Sequence, residues 1–337
     1  MTIPRKIVLA SRSSQLAQNQ TNMVKDILSS AFPSKIFATE FMTTGGDHNQ
    51  SQALYLLGGK ALWTKELEVA LKEGVVDILV HCFKDTPTSL PDGCEIAGVI
   101  EREDPVDSLI VKDGLPYKTL DDLPEGSVIG TSSVRRVAQL KRRYPKLIFK
   151  DVRGNLSTRL SKLNAPDSQY TAIVLAKAGL VRVGWGDRVT SDLPPPLLFY
   201  AVGQGALALE IRSDDTEARE LCRAITHQPT EWRCAAERAC LRVLEGGCSV
   251  PVGVSSEFVP DTEVLRIYGC VTSLDGRTHV QQETAGIVKS FKEAEEMGIR
   301  LAKILIEGGA KEILDEINED RERRIGEAKT EDEKAKI

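Results

Sequence analysis

The sequence predicts an α/β fold with two doubly wound units and a small α+β third domain. Over about the first 200 residues, strand-length apolar runs alternate with segments of helical periodicity, as in mostly parallel sheets covered on both faces. The alternation pauses at a polar, turn-rich stretch near residues 101–107 and then resumes. From about residue 231 the pattern changes to helices and hairpin strands, and 337 residues suit two or three domains.

The first unit begins with a predicted strand at residues 6–11. A helix follows, with five apolar side chains on one face: Leu16, Met23, Val24, Ile27 and Leu28. Residues 36–42 are the next predicted strand. A second helix follows Thr64 and ends at Gly74, and residues 75–81 are predicted to form a strand.

The second unit has a short predicted strand at residues 127–130. Ser132 or Ser133 caps the following helix, which ends at Tyr144-Pro145. Further strands are predicted at residues 147–152 and 172–176, with helices between and after them.

Three consecutive prolines at 194–196 form a stiff connector, and residues 203–205 (GQG) precede a predicted strand at 206–212. We expect the chain to cross back into the first unit there. The predicted division is domain 1 at 1–103 with the return segment 201–224, domain 2 at 104–200, domain 3 at 225–318, and a charged, frayed tail at 319–337. Within domain 3 we expect a Gly-Gly-Cys loop, strands at 252–258 and 264–272, and a helix at 291–307.

Composition excludes several classes of protein. With 41% hydrophobic and 28% charged residues the chain is neither disordered nor fibrous, and no apolar run approaches the ~18 residues of a membrane helix. We therefore expect a cytoplasmic protein without a membrane partner. Seven dispersed cysteines without a CxxC pair predict reduced thiols rather than a disulfide scaffold or a zinc site.

Charge is segregated along the chain. Residues 131–162 contain ten basic residues and one acid, Asp151, although the whole chain carries a net charge of −5. Such a cluster repels itself unless an anion neutralises it, so the pattern indicates an acidic substrate or partner.

Polar and charged residues recur where predicted strands end. Arg12 and Ser14 follow the first strand, Lys84 and Asp85 follow the strand at 75–81, and residues 131–136 and Arg153 follow two strands of the second unit. Taken singly, each is typical of a solvated surface charge or a turn. Ligands of α/β sheets bind at these strand ends, beside helix N-termini, so their convergence favours a cleft that binds carboxylates or phosphates.

Common catalytic motifs are missing. Residues 58–61 (GGKA) lack the Ser or Thr of a P-loop, no strand-linked GxGxxG occurs, and the four histidines are scattered. His81 is interpreted as a structural histidine rather than a metal ligand. Cys248 differs from the other cysteines, because it follows two glycines in a predicted loop where a thiol can be exposed or can simply pack.

Seven ordered motifs resemble those of the hydroxymethylbilane synthase (porphobilinogen deaminase) family, over about residues 5–312. They are 10–17 (ASRSSQLA), 59–60 with 64–68 (GK, TKELE), 81–85 (HCFKD), 130–136 (GTSSVRR), 153–155 (RGN) with Arg159, 202–205 (VGQG) and 245–248 (EGGC).

The resemblance implies a three-domain enzyme whose first two domains are like type II periplasmic binding proteins. It also implies a dipyrromethane cofactor joined by a thioether to Cys248, and no metal. Such enzymes join four porphobilinogens head to tail, releasing ammonia each time, and water frees the linear product. A monomer is the family expectation.

The resemblance assigns Asp85 as the catalytic residue, accepting hydrogen bonds from pyrrole N–H groups. It also implies a set of cofactor-binding residues: Cys248, Lys84, Asp85, Ser132, Arg135, Arg136, Arg153 and Gly154. The residues it implies for the substrate are Arg12, Ser14, Lys60, Arg159 and Arg182. Departures from the family pattern are Leu56 in place of a frequent Lys, Cys82 in place of a Ser, and a longer, more polar loop at 43–52.

Two other functions account for part of these features. A two-lobed anion receptor explains the lobes and the arginines, but not the third domain or Cys248. A nucleic-acid binder explains the basic stretch, yet strand-like residues interrupt that stretch, and only 5% of the chain is aromatic. We therefore expect porphobilinogen as the partner molecule and no nucleic acid.

Overall fold

The computed structural model describes residues 5–45, 64–244, 250–320 and 323 of the chain. The strands are β1 (Lys6–Arg12), β2 (Ile36–Met42), β3 (Ile78–Cys82), β4 (Cys94–Val99), β5 (Asp107–Val111), β6 (Val128–Gly130), β7 (Ile148–Lys150), β8 (Ala172–Ala176), β9 (Ser191–Leu193), β10 (Leu207–Arg212), β11 (Val252–Val259), β12 (Val264–Thr272) and β13 (His279–Ile287). The helices are α1 (Gln15–Ala31), α2 (Lys65–Lys72), α3 (Val134–Arg143), α4 (Leu156–Asn164), α5 (Lys177–Arg182), α6 (Thr216–Ala224), α7 (Gln228–Val243) and α8 (Phe291–Leu305).

The first two sheets share one arrangement. Their strand orders are β2-β1-β3-β10-β4 and β7-β6-β8-β5-β9. In each sheet the first three strands are parallel, and the fourth, β10 or β5, runs antiparallel to both neighbours. These two antiparallel strands follow the two segments that connect the sheets, so the chain crosses between them twice.

Helices cover both faces of the first sheet. On one face, Leu9 and Ile78 pack with Leu28 of α1, and on the other Leu79 packs with Leu67 and Leu71 of α2. All six are fully buried, and each such side chain contributes about 1.5–3 kcal/mol of hydrophobic stabilisation.

The second sheet is covered in the same way. Leu140 of α3 packs on the face that carries Ile129, and Leu163 of α4 packs on the face that carries Ile173.

A small antiparallel sheet, β11-β12-β13, packs against α7 and α8 to form the third unit. Tyr200, in the second connecting segment, forms a bridge with Val254 of β11. The predicted fold class is therefore confirmed: two doubly wound α/β units and a small α+β unit. None of the helices in the described ranges has the length and apolar character needed to cross a membrane.

Three predicted boundaries were wrong by two or three residues. The strand predicted at 147–152 is shorter, because β7 ends at Lys150. Residues 75–77 are not part of β3, because the amide of Val75 donates to the carbonyl of Ala70 and prolongs the turn that ends α2. Oδ2 of Asp77 then accepts a hydrogen bond from the amide nitrogen of Val8 at 2.8 Å. Helix α8 ends at Leu305, where the chain passes through a wider π turn, Ile306–Ala310.

Candidate active site

The 3₁₀ turn Phe83–Asp85 follows β3 directly and places two charged residues at the edge of the first sheet. Phe83 is buried, and its amide donates to the carbonyl of Ala206 at 3.0 Å. Gly203 lies so close that a Cβ atom there would be 3.1 Å from the carbonyl carbon of Phe83. The backbone of this turn is therefore anchored, while Asp85 is exposed.

A small pocket lies beside Asp85, where β1 and β3 end. Arg12 is the last residue of β1, and Ser14 caps α1 by accepting a hydrogen bond from an amide of its first turn. The lining also includes Gln20 and Thr64, which the sequence had not suggested. The structure thus brings Arg12, Ser14 and Asp85 together in one pocket.

Cations of the second unit act electrostatically on the Lys84–Asp85 turn. Burial, together with the charges of Arg136 and Arg153, lowers the pKa of Arg159 to about 10, although the charge of Asp85 opposes this shift. Burial also lowers the pKa of Lys84, where Asp85 opposes the shift and Arg136 adds to it. Residues from two different sheets therefore share one charged cleft.

Arg135 and Arg136, in the first turn of α3, are buried and joined to the buried carboxylate of Asp107. Arg135 Nη1 donates to Asp107 Oδ2 at 2.7 Å and to the carbonyl of Phe199 at 2.6 Å. Arg136 donates to Asp107 Oδ1 from Nε at 3.0 Å and from Nη2 at 2.7 Å, and Nη1 donates to the carbonyl of Val174. Both arginines are thus oriented by a protein carboxylate, and the charge of Arg136 also acts on Lys84 and Arg159.

Asp107 was missed by sequence reasoning. It is 28 residues from Arg135, and the sequence around it contains no motif. The strong attraction of the two guanidinium groups holds the pKa of its carboxyl well below the usual range, although burial opposes this.

Ser133, one of the two predicted caps, starts α3 by accepting from the amide of Arg136. Ser132 is directed elsewhere, since its hydroxyl donates to the carbonyl of Val152 at 3.0 Å. Ser132 therefore links the ends of two strands of the second sheet.

Gly154 has φ of +109°, and a Cβ atom there would lie 2.6 Å from Cγ2 of Thr158. Its carbonyl accepts from Nε of Arg159 at 2.7 Å, so this glycine loop orients the guanidinium of a predicted substrate ligand.

Arg153 and Arg182 both contact other groups of the protein. Arg153 forms an ion pair with Asp151 at 3.2 Å. Arg182 donates to the carbonyl of Gly205 at 2.7 Å, and its own carbonyl accepts from Asn19 of α1 at 2.9 Å. Arg182 therefore connects the second unit to the first.

A buried pair lies beneath the pocket. His81 Nε2 is 2.8 Å from Oε2 of Glu210, and both side chains are buried, which agrees with the structural role expected for this histidine. Glu210 was missed, although an acid inside the apolar run 206–212 was a usable signal.

Six cysteines lie in the described part of the chain, and all six are free thiols. Burial raises the pKa of every one: that of Cys94 to about 11, that of Cys82 above its ordinary value, and the other four to about 12. Raised pKa values make these thiols poor nucleophiles.

Several predicted residues lie outside the described residues: Cys248, Lys60, Leu56 and residues 46–52 of the polar loop. The greater part of the tail from residue 319 also lies outside.

The cleft has cationic charge that its own acids leave uncompensated. Among the described residues, neither Lys84 nor Arg159 forms an ion pair with a carboxylate. The arrangement suits a ligand that carries several carboxylates. Asp85 is exposed and can accept a hydrogen bond from an N–H group of such a ligand.

Comparisons with known proteins cover nearly the whole chain. A family model described as "Porphobilinogen deaminase, dipyromethane cofactor binding domain" matches residues 7–220, and one described as "Porphobilinogen deaminase, C-terminal domain" matches residues 232–307. A protein of Debaryomyces hansenii named porphobilinogen deaminase is 45% identical over 320 residues, which are 94% of this chain and 89% of that protein. Proteins of the same name from Yarrowia lipolytica and Synechococcus elongatus are 47% and 49% identical, over 93% of this chain and 94% and 96% of their own lengths.

Proposed function

The chain belongs to the porphobilinogen deaminase family, and we propose that Asp85 is the catalytic carboxylate of its reaction. The enzyme is a transferase of tetrapyrrole and heme biosynthesis. It joins four porphobilinogens head to tail with loss of ammonia, on a covalently bound dipyrromethane, and hydrolysis then releases hydroxymethylbilane.

One observation carries this assignment of roles. Asp85 and Lys84 of the first unit lie within electrostatic reach of Arg159 and Arg136 of the second unit. Each porphobilinogen brings an acetate and a propionate, so every addition brings two more negative charges into the cleft. A cleft with one exposed acid among several cations suits that substrate.

The residues present fit a dipyrromethane. Burial and the nearby charge of Arg136 lower the pKa values of Lys84 and Arg159, so an anionic group placed against these two side chains stabilises their charged forms. We propose that Lys84, Asp85, Ser132, Arg135, Arg136, Arg153 and Gly154 hold the group, with Cys248 as its covalent attachment. When bound, the dipyrromethane supplies the pyrrole carbon to which the first substrate molecule is joined.

Asp85 acts on the pyrrole N–H of the substrate in this proposal. Positive charge develops on that nitrogen when the amino group of the aminomethyl substituent leaves as ammonia and its methylene carbon stays on the ring. A carboxylate that accepts the N–H hydrogen bond stabilises this charge more than it stabilises the neutral ground state, which lowers the barrier. Asp85 is also placed to take up a proton in the cleft.

The arginines supply binding and orientation. A guanidinium is charged at all working pH values and donates two parallel hydrogen bonds to a carboxylate. We assign Arg12, Ser14, Lys60, Arg159 and Arg182 to the side chains of the incoming substrate. Support comes from the shared pocket of Arg12 and Ser14 beside Asp85, and from the electrostatic coupling of Arg159 to the same residue.

The proposed organisation follows the sequence division: domain 1 at 1–103 with 201–224, domain 2 at 104–200, and domain 3 at 225–318. We propose a cytoplasmic monomer that binds no nucleic acid and no membrane. The burial of Arg135 and Arg136 against Asp107 supports the proposed absence of nucleic-acid binding, because it removes two cations from the surface of the basic stretch.

Intact mass of the purified protein tests the attachment. Wild-type protein is expected to exceed its sequence mass by one dipyrromethane, and Cys248→Ala is expected to show the sequence mass and no turnover. Cys82→Ser is the matched control, since Cys82 lies in the pocket, and it should keep the added mass. An unmodified wild-type mass together with full turnover would refute the covalent assignment.

A further inference from the structure

Helix α7 packs directly on the turn that carries Asp85. Phe83 lies in a buried apolar cluster with Cys234, and Arg238, one helical turn further along α7, places its guanidinium carbon 4.4 Å from the centroid of the Phe83 ring. Residues of α7 thus contact the first residue of the Phe83–Asp85 turn from two successive turns of one helix.

Arg238 also binds the backbone just after Asp85. Its Nη1 donates to the carbonyl of Thr86 at 3.1 Å, and its Nη2 donates to the carbonyl of Pro87 at 2.6 Å. One side chain therefore touches the segment before Lys84–Asp85 and the segment after it.

The surroundings of Arg238 are unusual for a buried charge. The residue is 8% exposed, and in the described ranges of the chain it forms no ion pair with a carboxylate. Its partners are two carbonyl oxygens and an aromatic ring. Buried charges are normally paired, because desolvation of an isolated charge is costly. A buried cation held by two carbonyl oxygens and an aromatic ring instead of a carboxylate points to a requirement on the position of that backbone segment.

Other contacts hold Phe83 and Thr86 as well, and Arg238 adds contacts to Phe83, Thr86 and Pro87. On the side of the first sheet, Phe83 is fixed by Ala206 and by the close approach of Gly203. After Asp85, the hydroxyl of Thr86 donates back to the carbonyl of Cys82 at 3.3 Å. Pro87 has no N–H group, so its carbonyl is the polar backbone atom by which it can be held.

We infer that Arg238 is a positioning residue, which fixes the Asp85 turn against helix α7. Helix α7 ends at Val243, five residues before Cys248 in the sequence. The guanidinium thereby holds the proposed catalytic carboxylate against the helix that precedes the proposed attachment residue in the chain. This inference rests on the catalytic role proposed for Asp85.

Arg238→Gln tests the inference, with Arg242→Gln as the matched control. Arg242 lies one turn further along the same helix and pairs with Glu295 at the surface, away from the 83–87 segment. At saturating porphobilinogen, Arg238→Gln is expected to reduce kcat on the order of 10- to 100-fold while KM changes little, because a displaced carboxylate stabilises the transition state less. Arg242→Gln should stay within about twofold of wild type.

Amide hydrogen exchange supplies a readout independent of turnover. The peptide that spans residues 82–88 should exchange faster in Arg238→Gln, while peptides of β1 and α3 and the intact mass remain as in wild type. A merely structural role would accelerate exchange throughout the first unit. Unchanged exchange at 82–88, uniform acceleration, or a kcat within about twofold of wild type overturns the inference.

Two further variants separate the possible failures. If Arg238→Gln does not fold, Arg238→Lys decides by the same measurements, since lysine keeps the charge and one carbonyl contact, and wild-type values there would contradict the inference. Near-normal turnover of Asp85→Asn removes the proposed role of Asp85, and the inference falls with it. Slow Asp85→Asn with normal Arg238→Gln overturns the inference alone.

Discussion

The guanidinium of Arg136 and the carboxylate of Asp107 are joined by two hydrogen bonds in the protein interior, from Nε at 3.0 Å and from Nη2 at 2.7 Å. Arg135 binds the other oxygen of the same carboxylate at 2.7 Å, and Gln204 donates to Oδ1 at 2.9 Å. Asp107 begins β5, directly after the first crossing between sheets, and Gln204 lies in the second. One carboxylate therefore ties the arginines of α3 to both connecting segments.

Asp107→Asn is expected to reduce the free energy of unfolding by about 3–5 kcal/mol, because two buried guanidinium groups lose their counter-charge. Equilibrium denaturation in urea measures the change. Asp113→Asn is the control, since its ion pair with Arg188 is largely exposed and should contribute less than about 1 kcal/mol. Equal stabilities of the two variants would show that the buried pair does not stabilise the fold.

The pH dependence of stability follows from the same carboxylate. The pKa of Asp107 is lower in the folded protein than in the unfolded chain, so its contribution is present above the ordinary value of 3.8 and is lost as pH falls below it. The midpoint temperature of thermal unfolding, measured from pH 6 to pH 3, should therefore fall less steeply for Asp107→Asn than for wild type. Parallel curves would contradict the depressed pKa.

Asp85→Asn should fold as wild type does, because Asp85 is exposed. Its turnover should fall by more than about 100-fold, on the order of 3 kcal/mol of transition-state stabilisation, since an amide cannot supply the negative charge. Single-turnover ammonia release measures the rate, with exposed Asp187→Asn as the control. A rate within tenfold of wild type would remove Asp85 from the chemistry.

The lowered pKa of Lys84 predicts that KM for porphobilinogen has an alkaline limb, in which substrate binding weakens. Burial lowers its pKa below the ordinary value of 10.5, so its ammonium loses its proton, and its attraction for a carboxylate, at a lower pH than an exposed lysine does. KM for porphobilinogen should rise as pH increases through that range. Lys84→Arg should remove the limb because the guanidinium stays charged, and a limb that persists in this variant would assign it to another group.

Gly154→Ala tests the loop that orients Arg159. Its φ of +109° and the contact of an added Cβ with Thr158 predict a loss of about 2–4 kcal/mol of stability, together with weaker substrate binding. Gly184→Ala is the matched control, because Gly184 has φ of +77° but nothing within 4 Å of an added Cβ. Only backbone strain of about 1 kcal/mol is expected there. Similar losses in both variants would show that Thr158 makes room.

Local sequence patterns predicted much of the fold. Apolar periodicity located β1, β2, β8 and β12, and the preference of serine for helix N-termini identified Ser133 as one of two caps of α3. The start of β3 was harder to predict, because Val75 and Val76 have strand propensity but complete the turn after α2.

The candidate site was predicted in part. Arg12, Ser14 and Asp85 share a pocket because parallel strands end at one edge of a sheet, a rule that sequence reasoning can apply. Asp107 could not be found in this way, since the interaction links residues 28 and 29 positions apart through packing of separate strands.

By itself the sequence determined the order of α/β elements, the concentration of positive charge at 131–162 and the family motifs, because each depends on residues near one another in the chain. Only the tertiary structure decided which cations are bound to Asp107 and which, like Lys84 and Arg159, lack an ion pair with a carboxylate in the described part of the cleft. It alone placed Arg238 over the Asp85 turn. The physical reason is that charge pairing and desolvation depend on distances between elements, which local patterns do not specify.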